Sequence, residues 1–324
     1  MTHQVFCSSV SQALQEPFIG TAPYVDLWVL IEYSGRWEAD ALAQSALPAP
    51  VKAWVSMLHN QFPKVRFQLI KPQSPNASDI TCFIAITQET GPRLYRFQLA
   101  SYHDLLHLDL FALLADHSSS IPFFYSQPLF LVCTHGKHDC CCAIRGVPIY
   151  RELAQQVGDA AWQCSHLGGD RFAANMLCLP YGIYYARITV PEVSLVVQAQ
   201  MSQRIYLRKY RGRTCYPTMV QAAECLLRQH IKEERLSALL WLNERQCAEQ
   251  RWCVCFTTPS DGALHRLVIS KELCAIKCFS TCKGKEVESI EQFHLHSYER
   301  LSSAQQENIS PVGERSHAHY GEFS

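Results

Sequence analysis

The residues best equipped for chemistry fall in two stretches. Leu131-Val132-Cys133-Thr134-His135-Gly136-Lys137-His138-Asp139-Cys140-Cys141-Cys142 runs from an apolar segment into a turn crowded with thiols and imidazoles. Trp162-Gln163-Cys164-Ser165-His166-Leu167-Gly168-Gly169-Asp170-Arg171-Phe172-Ala173-Ala174-Asn175 does the same a helix-length later. Thiolate and imidazole are the side chains that bind iron and zinc. Eight residues separate Cys133 from Cys142, and three separate His166 from Asp170. The first pair can bracket a loop that curls around a cluster. The second sits on a Gly-Gly turn, which lets backbone approach inorganic sulfide closely. Free N–H groups in such turns stabilise the negative charge of sulfide and thiolate. The plain alternative is that Cys140 to Cys142 are incidental thiols and His166 is a hydrogen-bonded core residue. Spacing alone leaves both open.

Secondary structure must bring these turns together. Pro128 to Val132 reads as a short buried strand leading into the first turn, and Ala161 to Ser165 as a strand leading into the second. Between them, Val147 to Val157 has helical patterning with Pro148 in its first turn. Ile183 to Ile188 is a further strand. Val190 to Met201 and Met219 to Ile231 are amphipathic helices, and Trp252 to Phe256, Leu264 to Ile269 and Phe293 to Tyr298 alternate as strands do. Upstream, strands at Asp26 to Tyr33 and Val65 to Ile70 flank a helix at Pro50 to Phe62. Strands at Ile80 to Thr87 and Leu94 to Leu99 follow, and Leu105 to Leu114 reads as helical. The expected organisation is an N-terminal mixed α/β domain over 1–125, a second α/β domain over 126–301, and a polar, disordered tail over 302–324. The two units could share a fold, although no repeat is visible in the residues.

The chain has 324 residues, 48% of them hydrophobic, enough for a sizeable core. Its formal net charge of zero calls for neither nucleic acid nor an anionic membrane surface. No apolar run approaches the ~20 residues that span a bilayer. Met1-Thr2-His3-Gln4-Val5-Phe6-Cys7 lacks the basic-then-apolar pattern of a signal peptide. The expectation is a soluble, cytoplasmic protein. Sixteen Cys in such a chain point to metal binding or thiol chemistry rather than disulfides. Cys82, Cys178 and Cys225 read as small core residues.

Several motifs resemble one family. Cys7-Ser8, Glu16-Pro17-Phe18-Ile19-Gly20-Thr21-Ala22, and Trp28 with Ile31-Glu32-Tyr33 are similar to the N-terminal signature of the sucrase/ferredoxin-like proteins. Cys133-Thr134-His135-Gly136 with Asp139 to Cys142 resembles their first ligand loop, and Ser165 to Asn175 their second. Tyr210-Arg211-Gly212-Arg213 and Gln221-Ala222-Ala223-Glu224 extend the resemblance, which covers about residues 5–230. It implies a thioredoxin-like ferredoxin fold holding a [2Fe–2S] cluster. In members with two Cys and two His ligands, the pattern maps onto Cys133, Cys142, His166 and position 170. This chain has Asp170 there, as other members of the pattern do. The resemblance leaves three outcomes: Asp170 ligates, a nearby thiol (Cys164, Cys141 or Cys140) takes the fourth place, or the site binds nothing.

The implied activity is electron transfer with a redox partner protein or a small redox agent. A thiol–disulfide oxidoreductase and a binding module without a cluster are the rivals. The family name suggests sucrose hydrolysis, but a glycosidase needs two carboxyl groups across a sugar cleft, and the informative motifs are thiols and imidazoles. Downstream lie Cys253 and Cys255, then Cys274, Cys278 and Cys282 at intervals of four, a spacing that shares a face on a helix. Some could be zinc ligands, but the paired Cys-x-x-Cys knuckles are missing and incidental thiols are the favoured reading. Arg208, Lys209, Arg211 and Arg213 form a basic cluster that reads as a solvated loop or as a docking patch for an acidic redox partner.

Overall fold

The computed structural model of the chain describes residues 6–74, 79–115, 118–284 and 287–302. The tail expected from 302 onward lies, apart from Ser302, outside the described residues. A short helix α1 (Cys7–Ala13) opens the chain. β1 (Leu27–Glu32), α2 (Ala49–Gln61) and β2 (Val65–Lys71) then form a β–α–β unit with parallel strands. β3 (Ile80–Ile86) returns antiparallel beside β1, and β4 (Arg93–Leu99) beside β3. After α3 (Leu110–Leu114), the arrangement recurs. β5 (Leu129–Cys133) and β6 (Ala161–Cys164) are parallel, joined by α4 (Cys140–Val157). β7 (Met176–Leu179) runs antiparallel to β5, and β8 (Ile183–Tyr185) pairs with β7. α5 (Val193–Met201) leads to β9 (Tyr210–Arg213), which pairs with β8.

The result is one mixed sheet in the order β4-β3-β1-β2-β6-β5-β7-β8-β9. The first four strands and the next four have the same order read outward from the middle. Their junction is a short antiparallel pairing, Ile70 with Cys164 and Lys71 with Gln163. The segments divided near residue 125 in the sequence are thus joined edge to edge. The mixed α/β class expected from the sequence is what the chain adopts.

Burial on both faces explains the unbroken apolar runs of β1 and β5. Val29 and Ile31 meet Val51, Val55 and Leu58 of α2 in one core cluster, and Phe130 and Val132 meet Ile149 and Leu153 of α4 in another. The alternate residues Trp28, Leu30, Leu129, Leu131 and Cys133 share a third cluster that runs across the junction. Cys82, Cys178 and Cys225 are buried, as their apolar surroundings predict.

α6 (Thr218–Ile231) carries a second sheet, the antiparallel meander β10 (Leu240–Ala248), β11 (Arg251–Thr257), β12 (Leu264–Phe279) and β13 (Val287–Leu301). Val220, Ala223 and Leu227 of α6 pack on Val254, Phe256, Leu267 and Ile269. Three sequence readings are corrected here. Cys274 and Cys278 lie on a strand, so their spacing of four does not place them on a helix face. The segment at Leu105–Leu114 is split into a 3-10 turn and α3, because Asp109 accepts from the Ala112 N–H and starts a new helix. The helix expected from Val147 begins at Cys140. Asp139 caps it by accepting from the Cys141 N–H at 2.8 Å, so Pro148 sits inside the helix rather than at its start.

Candidate metal centre

The earlier start of α4 changes what the cysteine run is. Cys140, Cys141 and Cys142 form its first turn, directly after the loop that leaves β5 at Cys133. Helix and strand approach closely: Gly146 faces the Cys133 carbonyl, and a Cβ there would lie 2.0 Å from that oxygen. The loop is braced by the first half of the chain. His135 Nε2 contacts the Glu38 carbonyl at 2.6 Å, Trp37 meets the His135 ring edge-on, and Lys137 pairs with Glu38.

The second loop is fastened carbonyl by carbonyl. The His166 carbonyl accepts from Arg66 and Gln68 of β2, each at 3.1 Å. The Leu167 carbonyl accepts from the Tyr184 hydroxyl at 2.6 Å, the Gly168 carbonyl from Arg211 at 3.0 Å, and the Gly169 carbonyl from Asn175 at 2.8 Å. Gly168 and Gly169 have φ of +100° and +76°, a backbone only glycine adopts without strain. Arg211 is buried and also donates to the Thr21 carbonyl and hydroxyl, which ties the loop to the N-terminal segment.

These supports bring the donors together. Single ligand atoms of Cys133, Cys142 and His166 lie within 4.8 Å of one another, as do those of His138, His166 and Asp170, and either group could hold a metal ion. The Cys142 thiol donates to Asp170 Oδ1 at 3.1 Å, and the same oxygen lies 3.0 Å from His166 Nδ1. That Nδ1 is buried and has no well-directed hydrogen bond, although it sits in ion-pair range of Asp170. Both thiols and Asp170 are buried, whereas His166 keeps 22% of its side chain exposed at the rim.

The electrostatics couple these groups. Cys133 is held well below the ordinary thiol range, first by the neighbouring Cys142 thiol and then by His166, against the opposing effect of burial. Cys142 is pushed well up by the neighbouring Cys133, by burial and by Asp170. Burial works against a charged His166 ring, but Asp170 and Cys133 outweigh it and raise the ring to about 9. Burial likewise works to raise Asp170, and His166 outweighs it, so the carboxyl is lowered. Cys133, His166 and Asp170 therefore favour one another's charged forms in a largely buried site.

Of the other thiols considered for the fourth place, Cys164 is buried beside Cys133 on the neighbouring strand, and burial pushes its thiol well up. Cys141 turns the other way, with its sulfur 3.2 Å from Cys282. Cys140 belongs to no donor group that includes Cys133. Sequence reasoning missed His138. Its ring stacks on His166 at 3.7 Å between centroids, its Nδ1 meets the Ala39 carbonyl at 3.1 Å, and its Nε2 lies 3.8 Å from Asp170 Oδ2. An Nδ1–H donated to a carbonyl leaves Nε2 with its lone pair available. The signal was present in the second imidazole of His135-Gly136-Lys137-His138, but nothing in the spacing distinguished it from solvent-facing histidine.

The sequence model of the sucrase/ferredoxin-like family matches residues 18–212, more than half of the chain, and spans both loops. The chain belongs to the sucrase/ferredoxin-like family. A relative in Meyerozyma guilliermondii, the "Altered inheritance of mitochondria protein 32", is 30% identical over 98 residues, which are 27% of this chain and 35% of that protein. The chain thus matches about a third of that relative's length. No solved structure matches.

The basic cluster of this sucrase/ferredoxin-like chain is not a single surface. Arg211 and Arg213 are buried, and Lys209 bonds the Arg187 carbonyl and pairs with Glu192. Arg208 alone of the four is largely exposed, at 77% of its side chain. The guanidiniums are internal because their hydrogen bonds to carbonyls and hydroxyls offset desolvation. Among the described residues, no helix is long and apolar enough to cross a membrane.

Proposed function

We propose that this chain holds a [2Fe–2S] cluster on Cys133, Cys142, His166 and Asp170 and acts as a one-electron carrier. The observation that supports this most is the convergence of two buried thiols, one imidazole and one carboxylate from two hydrogen-bonded loops. The set fits the group: it offers four donors, two of them thiol, and includes a buried ring nitrogen that lacks a directed partner. When bound, such a cluster supplies one-electron chemistry whose potential depends on ligands, charge, hydrogen bonding and burial. Cys133 and Cys142 provide thiolates from the buried floor. Asp170 orients the His166 ring. The side-chain clamps on the carbonyls of 166–169 hold the loop without using its N–H groups, and the amides of Leu167, Gly168 and Gly169 have no acceptor among the described residues.

The exposed edge lies at His166 and His138, where a redox partner protein or small redox agent would come nearest. A reducing compartment such as the cytoplasm accords with sixteen free cysteines. The second reading is thiol–disulfide exchange between Cys133 and Cys142, favoured by the closeness of their sulfurs and the lowered Cys133 thiol. Visible absorption and electron paramagnetic resonance separate the two. Anaerobic protein that is coloured, bleaches on reduction and becomes paramagnetic supports the carrier. Colourless protein that turns over a disulfide substrate, and loses that turnover in Cys133→Ser, supports the exchange reaction instead.

A further inference from the structure

A second group of donors, separate from the first, meets at the first turn of α4. The sulfurs of Cys7, Cys141 and Cys282 form a near-regular triangle, with sides of 3.6 Å, 3.2 Å and 3.5 Å. Both oxygens of Asp139 lie 4.0 Å from the Cys7 sulfur. One ligand atom from each of the four residues falls within a common 4.8 Å. We propose that Cys7, Cys141, Cys282 and Asp139 form a second metal site, which takes a four-coordinate Zn²⁺ ion. It does not depend on what Cys133 and Cys142 hold.

The distances point to an ion rather than a covalent link. A disulfide needs about 2.05 Å between sulfurs. Ligands on a tetrahedral zinc with Zn–S near 2.3 Å sit about 3.8 Å apart. The triangle lies close to the second value, and three sulfurs cannot all be joined by one disulfide. Charge leads to the same conclusion. Asp139 is wholly buried, and among the described residues it has no ion pair. A buried carboxylate beside three thiols favours a cation, since buried charges are paired or coordinate metals. Asp139 is also fixed. Oδ1 accepts from the Cys141 N–H at 2.8 Å and Oδ2 from the Cys282 N–H at 2.6 Å, which leaves a further lone pair on each oxygen. Two sulfurs are supported in turn: Ser8 donates to Cys141 at 3.1 Å, and the Cys7 N–H to Cys282 at 3.3 Å.

The four ligands come from three distant segments. Cys7 opens α1, Asp139 and Cys141 begin α4, and Cys282 lies in the turn after β12. An ion there would staple the N-terminal helix and the β12–β13 hairpin to the sheet that carries the first site. The thiolates and carboxylate suit zinc, whose structural sites are closed and tetrahedral.

Zinc should be measured in the full chain, purified anaerobically from zinc-supplemented growth, beside iron. We expect about one zinc per chain, as for a closed structural site. Cys7→Ser and Cys282→Ser should each lower zinc by roughly tenfold or more while iron stays. The double variant Cys133→Ser/Cys142→Ser should lose iron and keep zinc. Should the serine variants fail to fold, X-ray absorption at the zinc edge of the parent decides: three sulfurs near 2.3 Å and one oxygen near 2.0 Å are expected. Zinc that disappears with Cys133 and Cys142, a parent with no tightly held zinc, or a first shell of nitrogen and oxygen only would each overturn the assignment.

Discussion

Gly146 lies so close to Cys133 that a single added methyl group would stand 2.0 Å from the Cys133 carbonyl oxygen. That contact sets how near α4, with Cys142 in its first turn, can approach the end of β5. Backbone on both sides leaves no flexible atom to yield. Gly146→Ala removes an unfavourable helical glycine, worth about 1 kcal/mol in an exposed helix. Here the clash wins, because overpacking costs about 1–3 kcal/mol or more. The variant should unfold at lower urea concentration with an unchanged slope. A midpoint equal to or above that of the parent would show that the helix can shift freely.

Arg211 joins the Gly168 carbonyl to Thr21 across the N-terminal segment. Arg211→Met would strand at least two buried acceptors, at about 1–3 kcal/mol each. Arg211→Lys should recover only part of that, since one ammonium cannot reproduce the planar fork. Both variants should be less stable in chemical denaturation, and both should bind less iron because the loop of His166 is released. Full iron with normal stability in Arg211→Met would remove the residue from the support of the site.

The fourth donor is a choice between Asp170 and His138, which face each other at 3.8 Å. With Asp170 as ligand, Asp170→Ala should lose most iron and Asp170→His should retain it, while His138→Ala stays close to the parent. Cys164→Ala and Cys140→Ser should also keep their iron, since neither sulfur joins the donor group. The reverse pattern, with iron lost in His138→Ala and kept in Asp170→Ala, would move the ligand to His138. Iron analysis of the five variants, purified in parallel, settles it.

The sequence carried the fold class and the family well, for physical reasons visible in particular residues. Leu27 to Ile31 and Leu129 to Val132 are apolar at every position because both faces of their strands are covered. The start of α4 was hidden. Pro148 resembles a first-turn proline, and Asp139 signals a cap only once its contact with the Cys141 N–H is seen. The spacing of Cys274, Cys278 and Cys282 resembled a helix face, but the first two lie in β12, where Cys278 pairs with Glu288 of β13 and Cys274 falls at an irregularity in the pairing. Arg211 and Arg213 looked solvated because charge is the only property their sequence shows. The acceptors that let them be buried come from Thr21, Gly168, Asn175 and Tyr216. The donor group of Cys7, Asp139, Cys141 and Cys282 was illegible for the same reason, since only the tertiary fold brings residues 7 and 282 together.

The most direct measurement is iron and acid-labile sulfide in the anaerobically purified chain, beside Cys133→Ser and Cys142→Ser. About two iron and two sulfide are expected per parent chain, the content of a [2Fe–2S] cluster, with severe loss of both in each variant. Parent protein that holds neither iron nor sulfide after anaerobic reconstitution, or variants as full as the parent, would contradict it.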